Sequence, residues 1–188
     1  MCKTKTILVV FCVFVLPAVS LGQNFFGGSK KTRKEYYPDG KLKSSCEYNK
    51  EDMLDGVCKR YFQNGFLQTE TSYKNNIMNG QKKEFYESGK LKGEVTFKNG
   101  KKEGLGKDYY ESGKVKGEVT FKNGKREGLG KDYYECGKVK GEVTFKGGIP
   151  DGPAKEYYEN GQLRTEVLLK NGKDVGPRKQ YDENGKLK

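Results

Sequence analysis

The chain has 188 residues, with 37 Lys and Arg against 25 Asp and Glu for a formal charge of +12, and it contains no His and no Trp. Only 33% of it is hydrophobic while Gly fills 26 positions, which argues against an ordinary globular core, and 13 Tyr with 10 Phe argue against a disordered basic tail. Without His the usual general base near neutral pH and the commonest metal ligand are missing, so serine-triad, zinc-hydrolase and most acid–base enzymes are set aside, and no cofactor or small-molecule substrate is expected.

The chain opens on a targeting pattern. Lys3 and Lys5 form a positive start, Ile7 to Leu16 are apolar, and Pro17 precedes the small residues Ala18, Ser20 and Gly22. Residues 1–22 read as a cleaved signal peptide, since ten apolar residues fall short of the roughly 20 that span a bilayer. Cleavage after Ser20 or Gly22 predicts a protein that is secreted or resident in the cell envelope. Losing Lys3 and Lys5 takes the charge only from +12 to +10, so the basic surplus belongs to the mature part. Residues 23–35 read as a basic linker.

From residue 36 to 188 the sequence repeats. The unit aromatic-x-x-Gly-x-(Leu/Val)-(Lys/Gln/Arg) recurs at Gly40, Gly65, Gly89, Gly113, Gly137, Gly161 and Gly185, spaced by 25 and then five times by 24 residues. Each unit predicts two short strands and two tight turns. Val115 to Phe121 alternates apolar and polar side chains, and Asp-Gly, Asn-Gly and Ser-Gly pairs bound the strands, favouring turns that need positive φ. The expected fold is therefore all-β: an elongated, single-layer antiparallel meander of about seven 24-residue β-hairpin repeats. With some 13 strands about 4.8 Å apart, it would extend for roughly 60 Å.

The run Phe97-x-x-Gly100-x-x-x-Gly104-x-Gly106, with the turn glycine Gly113, resembles the MORN repeat (membrane occupation and recognition nexus), in its bacterial variant rich in aromatic-x-x-Gly-Lys-Leu-Lys units. The resemblance implies association with a protein or with phospholipid. Bacterial proteins that look like this one are often labelled antitoxins, which implies a second reading, neutralisation of a toxic partner by direct binding.

A two-residue turn at Ser112-Gly113 would set Tyr110 opposite Val115, Gly106 opposite Val119 and Gly104 opposite Phe121, and the next hairpin would set Val95 opposite Gly106 and Phe97 opposite Gly104. One face then carries Val95, Phe97, Tyr110, Val119 and Phe121 with glycines beneath their rings. The other carries a Lys and Glu ladder, with Lys107 between Glu94 and Glu118 and Tyr109 between Lys92 and Lys116. The charge left over falls in one set of turns: Lys74, Lys98, Lys101, Lys102, Lys122, Lys125, Arg126, Lys146, Lys170 and Lys173 form a candidate basic binding edge. Such a stripe suits an acidic protein or an anionic membrane surface. Nucleic acid is not expected, because the interleaved tyrosines recur at core positions.

In the same register Cys46 takes the place of Val95 and Cys58 that of Gly106, a candidate disulfide in an exported chain. Cys136 replaces Ser112 in an exposed turn, and no Cys-x-x-Cys pair supports metal or redox chemistry. The function expected is a non-catalytic binding scaffold that holds a protein partner or an anionic phospholipid or polyanion surface through its aromatic face and its basic turn edge.

Overall fold

The turn glycines decide the architecture. Gly40, Gly65, Gly89, Gly113, Gly137, Gly161 and Gly185 all take positive φ in the computed structural model, which describes residues 30–188. Between the turns run β1 (Lys31–Tyr36), β2 (Leu42–Tyr48), β3 (Leu54–Tyr61), β4 (Leu67–Lys74), β5 (Ile77–Phe85), β6 (Leu91–Lys98), β7 (Lys101–Tyr109), β8 (Val115–Lys122), β9 (Lys125–Tyr133), β10 (Val139–Lys146), β11 (Ile149–Tyr157), β12 (Leu163–Lys170), β13 (Lys173–Asp174) and β14 (Lys179–Gln180). The first 13 strands pair in sequence order, each antiparallel to the next, and β14 pairs with β12. Among the described residues there is no helix, so the all-β meander stands. The expected signal peptide, residues 1–22, lies outside the described residues.

Three details differ from the sequence reading. Part of the stretch read as a basic linker, residues 23–35, is strand, and residues 23–29 lie outside the described residues. Lys31 to Glu35 belong to β1, held to β2 by its backbone ladder, with Arg33 bonded to Asp52. Its polar sequence lacks the apolar alternation that marks the other strands. The turn at Gly113 is a three-residue loop, not two, because the Tyr110 N–H bonds the Lys114 carbonyl and the Gly113 N–H bonds the Tyr110 carbonyl, at 2.8 Å each. Tyr109, not Tyr110, therefore faces Val115, and the extra residue forms a bulge.

The third difference lies at the opposite edge. The Asn99-Gly100 turn is the tight one, with φ of 50° and 77° and Lys98 opposite Lys101, and Phe97 faces Lys102, not Gly104. Two extra residues of β7 are taken up where Gly104 kinks at φ 78°. Because two are inserted and the side-chain period of a strand is two, the faces keep their identity across the bulge. Gly106 opposite Val119 and Lys107 opposite Glu118 lie in the unbroken part of the β7–β8 ladder, and these pairs, like Cys46 opposite Cys58, are found as the alternation predicts.

One layer leaves no deep interior: no side chain of the described residues is completely buried, and Phe97, at 7% exposure, is among the most enclosed. Glycine makes this thin core possible. A Cβ on Gly106 would stand 2.9 Å from Cε2 of Phe121 and 3.4 Å from Val95 Cγ2, so only a bare backbone lets the ring lie down there. Hydroxyls then tie the hairpins together. The phenols of Tyr37, Tyr86, Tyr110, Tyr134 and Tyr158 donate to the carbonyls of Tyr61, Tyr109, Tyr133, Tyr157 and Tyr181 at 2.6–2.9 Å. Each bond spans the strand between two hairpins and is worth about 1 kcal/mol. Cys46 and Cys58 are joined as a disulfide across β2 and β3, with Cα atoms 3.9 Å apart, and close the hairpin those strands form. Cys136 is an exposed free thiol.

Candidate binding surfaces

The tight turns stack into a column along one long edge. The Gly100, Gly124, Gly148 and Gly172 N–H groups donate to the carbonyls of Met78, Lys102, Arg126 and Pro150, each in the preceding repeat, at 2.8–2.9 Å. A second bond supports each turn. The Asn123 and Gly147 N–H groups donate to the Glu103 and Glu127 carboxylates at 2.8 Å, and the Asn171 N–H donates to Asp151 at 3.3 Å. The acids of this edge are thus occupied in holding backbone amides.

Most lysines of the column are left without salt-bridge partners. Of the ten bases predicted for the edge, Lys170 alone forms a salt bridge among the described residues, to Asp151 at 3.1 Å. The Lys170 ammonium, together with the Asn171 amide, holds the Asp151 carboxyl below the usual carboxylate range. Lys74, Lys98, Lys122, Lys146 and Lys170 end strands, and Lys101, Lys125 and Lys173 begin the next ones, so these eight flank the turns. Lys98 faces Lys101, Lys122 faces Lys125 and Lys170 faces Lys173, and directly opposed like charges cost free energy in a sheet. The sequence keeps them together despite that cost.

Lys102 and Arg126 turn away from the edge. The Lys102 ammonium stands 4.9 Å from the Phe121 ring centre and the Arg126 guanidinium 5.3 Å from that of Phe145. Both line an open groove of about 640 Å³ that crosses the sheet from Lys82 to Arg164. Its other side repeats the motif: Lys116 and Lys140 stand 5.7 Å from the Tyr110 and Tyr134 rings, and Arg164 stands 5.6 Å from Tyr158. The sequence reading put Lys116 on the opposite face beside Tyr109, but the bulge before Tyr109 brings it over Tyr110 instead. Between the two cationic rows lie Asp108 and Asp132, whose carboxylates rest against Gly93 and Gly117, where a Cβ would come within 2.7 Å. The groove lies on the aromatic face that the sequence offered as a binding surface, with Val95, Tyr110, Val119 and Phe121 in its lining. The cationic rows and the acids between them were not singled out from the sequence.

The other face is a closed ladder. The Tyr109, Tyr133, Tyr157 and Tyr181 phenols donate to Glu94, Glu118, Glu142 and Glu166, and Lys107, Lys131 and Lys179 pair with Glu118, Glu142 and Glu166. Burial, then the bonded glutamate, pushes Tyr109 and Tyr133 up to about 12. Lys131 holds Glu142 below the ordinary range. With its charges paired internally, this face offers little to a charged partner. Among the described residues no three His, Cys, Asp or Glu side chains gather as a cation site.

A family model described as "MORN repeat variant" matches residues 31–50, 54–75, 78–99, 102–123, 126–146, 150–171 and 174–188. The chain belongs to the MORN-repeat family. A second model, "MORN repeat", matches residues 120–131, the end of β8 and the start of β9. The matched segments follow the hairpins, most of them breaking at the tight turns. No curated protein sequence matches the chain. Among solved structures, similarity is found to a TarM mutant from S. aureus in complex with fondaparinux, α-GlcNAc-glycerol and UDP, at 11% identity and a TM-score of 0.31 over 77% of this chain. Another TarM structure is similar at 12% identity and a TM-score of 0.23 over 78%. The MORN chain spans 21% and 20% of those two chains. MORN repeats are in general non-catalytic binding scaffolds for proteins or membrane lipids.

Proposed function

We propose that this MORN protein is an exported binding scaffold whose basic edge holds an anionic partner, either an acidic protein surface or an anionic lipid surface. The observation that carries the reading is the state of the edge. Its acids are spent on backbone amides, while seven of the eight bases that flank its turns, all but Lys170, have no salt-bridge partner among the described residues. Stacked turns held by backbone bonds fix the backbone spacing of those charges before any partner arrives, so the ordering cost left for binding is that of the lysine side chains and not of the turns. The amino-terminal signal pattern supports an exported location, where such a partner would be an envelope or extracellular component.

The test compares the full chain with the variant Lys98→Gln, Lys101→Gln, Lys122→Gln, Lys125→Gln in co-sedimentation with phosphatidylglycerol vesicles and in retention on immobilised polyglutamate. At least one probe binds the unaltered chain at low salt and releases it above roughly 0.15 M, where the Debye length falls to about 8 Å, and the variant binds neither. A variant that binds as well as the unaltered chain sinks the reading. So does an unaltered chain that binds neither probe at low salt.

A further inference from the structure

The groove is a different kind of surface from the edge. It is amphoteric along its whole length: each central repeat contributes two cations held over aromatic rings, Lys102 and Lys116 in one and Arg126 and Lys140 in the next, and one acid between them. Asp108, Asp132 and Glu156 form the central row, and none of the three has a hydrogen-bond or salt-bridge partner among the described residues. A plain polyanion would be drawn to the outer rows and repelled by the central one. A polypeptide in extended form offers both what the cations need, carboxylates and carbonyls, and what the acids need, backbone N–H groups.

The period narrows the conformation. Equivalent groups of neighbouring repeats are two strands apart, about 9.6 Å. A polyproline II helix has three residues per turn and rises about 3.1 Å per residue, giving a pitch of about 9.3 Å, with its backbone groups unpaired and open to outside partners. A chain of this form, laid along the ribbon axis, would present the same side chain and the same N–H to every repeat. No β-strand or α-helix has that pitch.

We infer that the groove is a docking site for an acidic peptide in the polyproline II conformation, running across the strands with one helical turn for each repeat. Its carboxylates meet Lys102, Arg126, Lys116 and Lys140, its N–H groups meet Asp108, Asp132 and Glu156, and its prolines lie against Phe121 and Phe145. From β5 to β12 the groove crosses seven strand spacings, about 34 Å, which fits a peptide of roughly 11 residues. Aromatic-lined grooves are a recurrent solution for recognising this helix because the ligand is ordered beforehand. This site does not depend on the basic edge.

The test is fluorescence anisotropy of the full chain with three labelled dodecapeptides, built from four Glu-Pro-Pro, four Glu-Gly-Gly or four Lys-Pro-Pro units. The Glu-Pro-Pro peptide supplies one carboxylate and one N–H per turn and is expected to bind at least about tenfold tighter than either of the others. The double variant Asp108→Ala, Asp132→Ala, checked for an unchanged far-ultraviolet spectrum, weakens it. The edge variant described above leaves it in place. Equal binding of the Glu-Pro-Pro and Glu-Gly-Gly peptides overturns the period argument. Tighter binding after removal of the two aspartates overturns the assignment to a peptide and marks the groove as a site for polyanions.

Discussion

Replacing Tyr110 with Phe removes one oxygen and nothing else. Its hydroxyl donates to the Tyr133 carbonyl at 2.6 Å from a part-buried position, crossing β8 to join two hairpins. The ring and its contact with Lys116 survive the change, so the loss is that of a single hydrogen bond, about 1 kcal/mol. For a domain of this size that corresponds to a fall in Tm of about 2–4 °C. The structure also supplies the reverse experiment. Phe62 sits where Tyr37, Tyr86, Tyr110, Tyr134 and Tyr158 sit in the other repeats, and its junction has no such bond. Phe62→Tyr places a hydroxyl within the reach of the Phe85 carbonyl and should raise Tm by a similar amount. Thermal unfolding followed by circular dichroism measures both, with amide exchange showing that protection changes at the altered junction. Repeat arrays are held by nearest-neighbour terms, so the change should stay local. If Tyr110→Phe is silent and Phe62→Tyr gives no gain, the phenol-to-carbonyl bonds contribute nothing to cohesion and the account of the thin core fails.

Two further outcomes follow from the ladder and the β2–β3 hairpin. Tyr109 and Tyr133, raised to about 12 in the folded chain, should be the last tyrosines to ionise in an ultraviolet titration, and Glu94→Gln should lower the midpoint of Tyr109 alone. Because their folded values lie above the ordinary phenol value near 10, their contribution to stability is complete below about pH 10 and is lost as pH rises through 12. A single titration step near pH 10 for all tyrosines contradicts this. Reduction of the Cys46–Cys58 disulfide, which closes a 12-residue separation, should cost about 3 kcal/mol in the hairpin it staples. Faster amide exchange over residues 42–61, with the central repeats unaffected, is the expected sign, and unchanged exchange there would remove the staple from the account.

Much of this fold was legible because glycine, aromatic and charged residues recur at a fixed spacing. The faces followed from alternation, and the cross-strand partners Lys107 and Glu118, Gly106 and Val119, and Cys46 and Cys58 followed from the faces. The bulges were not legible. Their positions depend on where turn amides find acceptors in a neighbouring repeat, as Gly124 does at the Lys102 carbonyl, and that is a matter of three-dimensional stacking. Misplacing them kept Lys102 and Arg126 on the edge and Lys116 on the wrong face, and so hid the groove. Strand β1 escaped notice for another reason: Lys31 to Glu35 have no apolar alternation and are ordered by backbone pairing and surface charge. The bases that flank the tight turns could be placed from sequence because tight turns must lie at strand ends. That their acids would be tied up on amides could not.

The pairing order carries an implication for how such a chain can change. Every strand from β1 to β11 pairs only with its immediate neighbours, the bonds between hairpins reach no farther than the adjoining repeat, and each central unit hands the next an identical set of acceptors. Excising or duplicating residues 107–130 would therefore leave every remaining junction chemically as it was. The molecule would shorten or lengthen by about 9.6 Å and shift by two positive charges, six bases less four acids, at each step. A chain built this way can be re-gauged to a longer or shorter target by whole-unit recombination, with no compensating substitutions elsewhere.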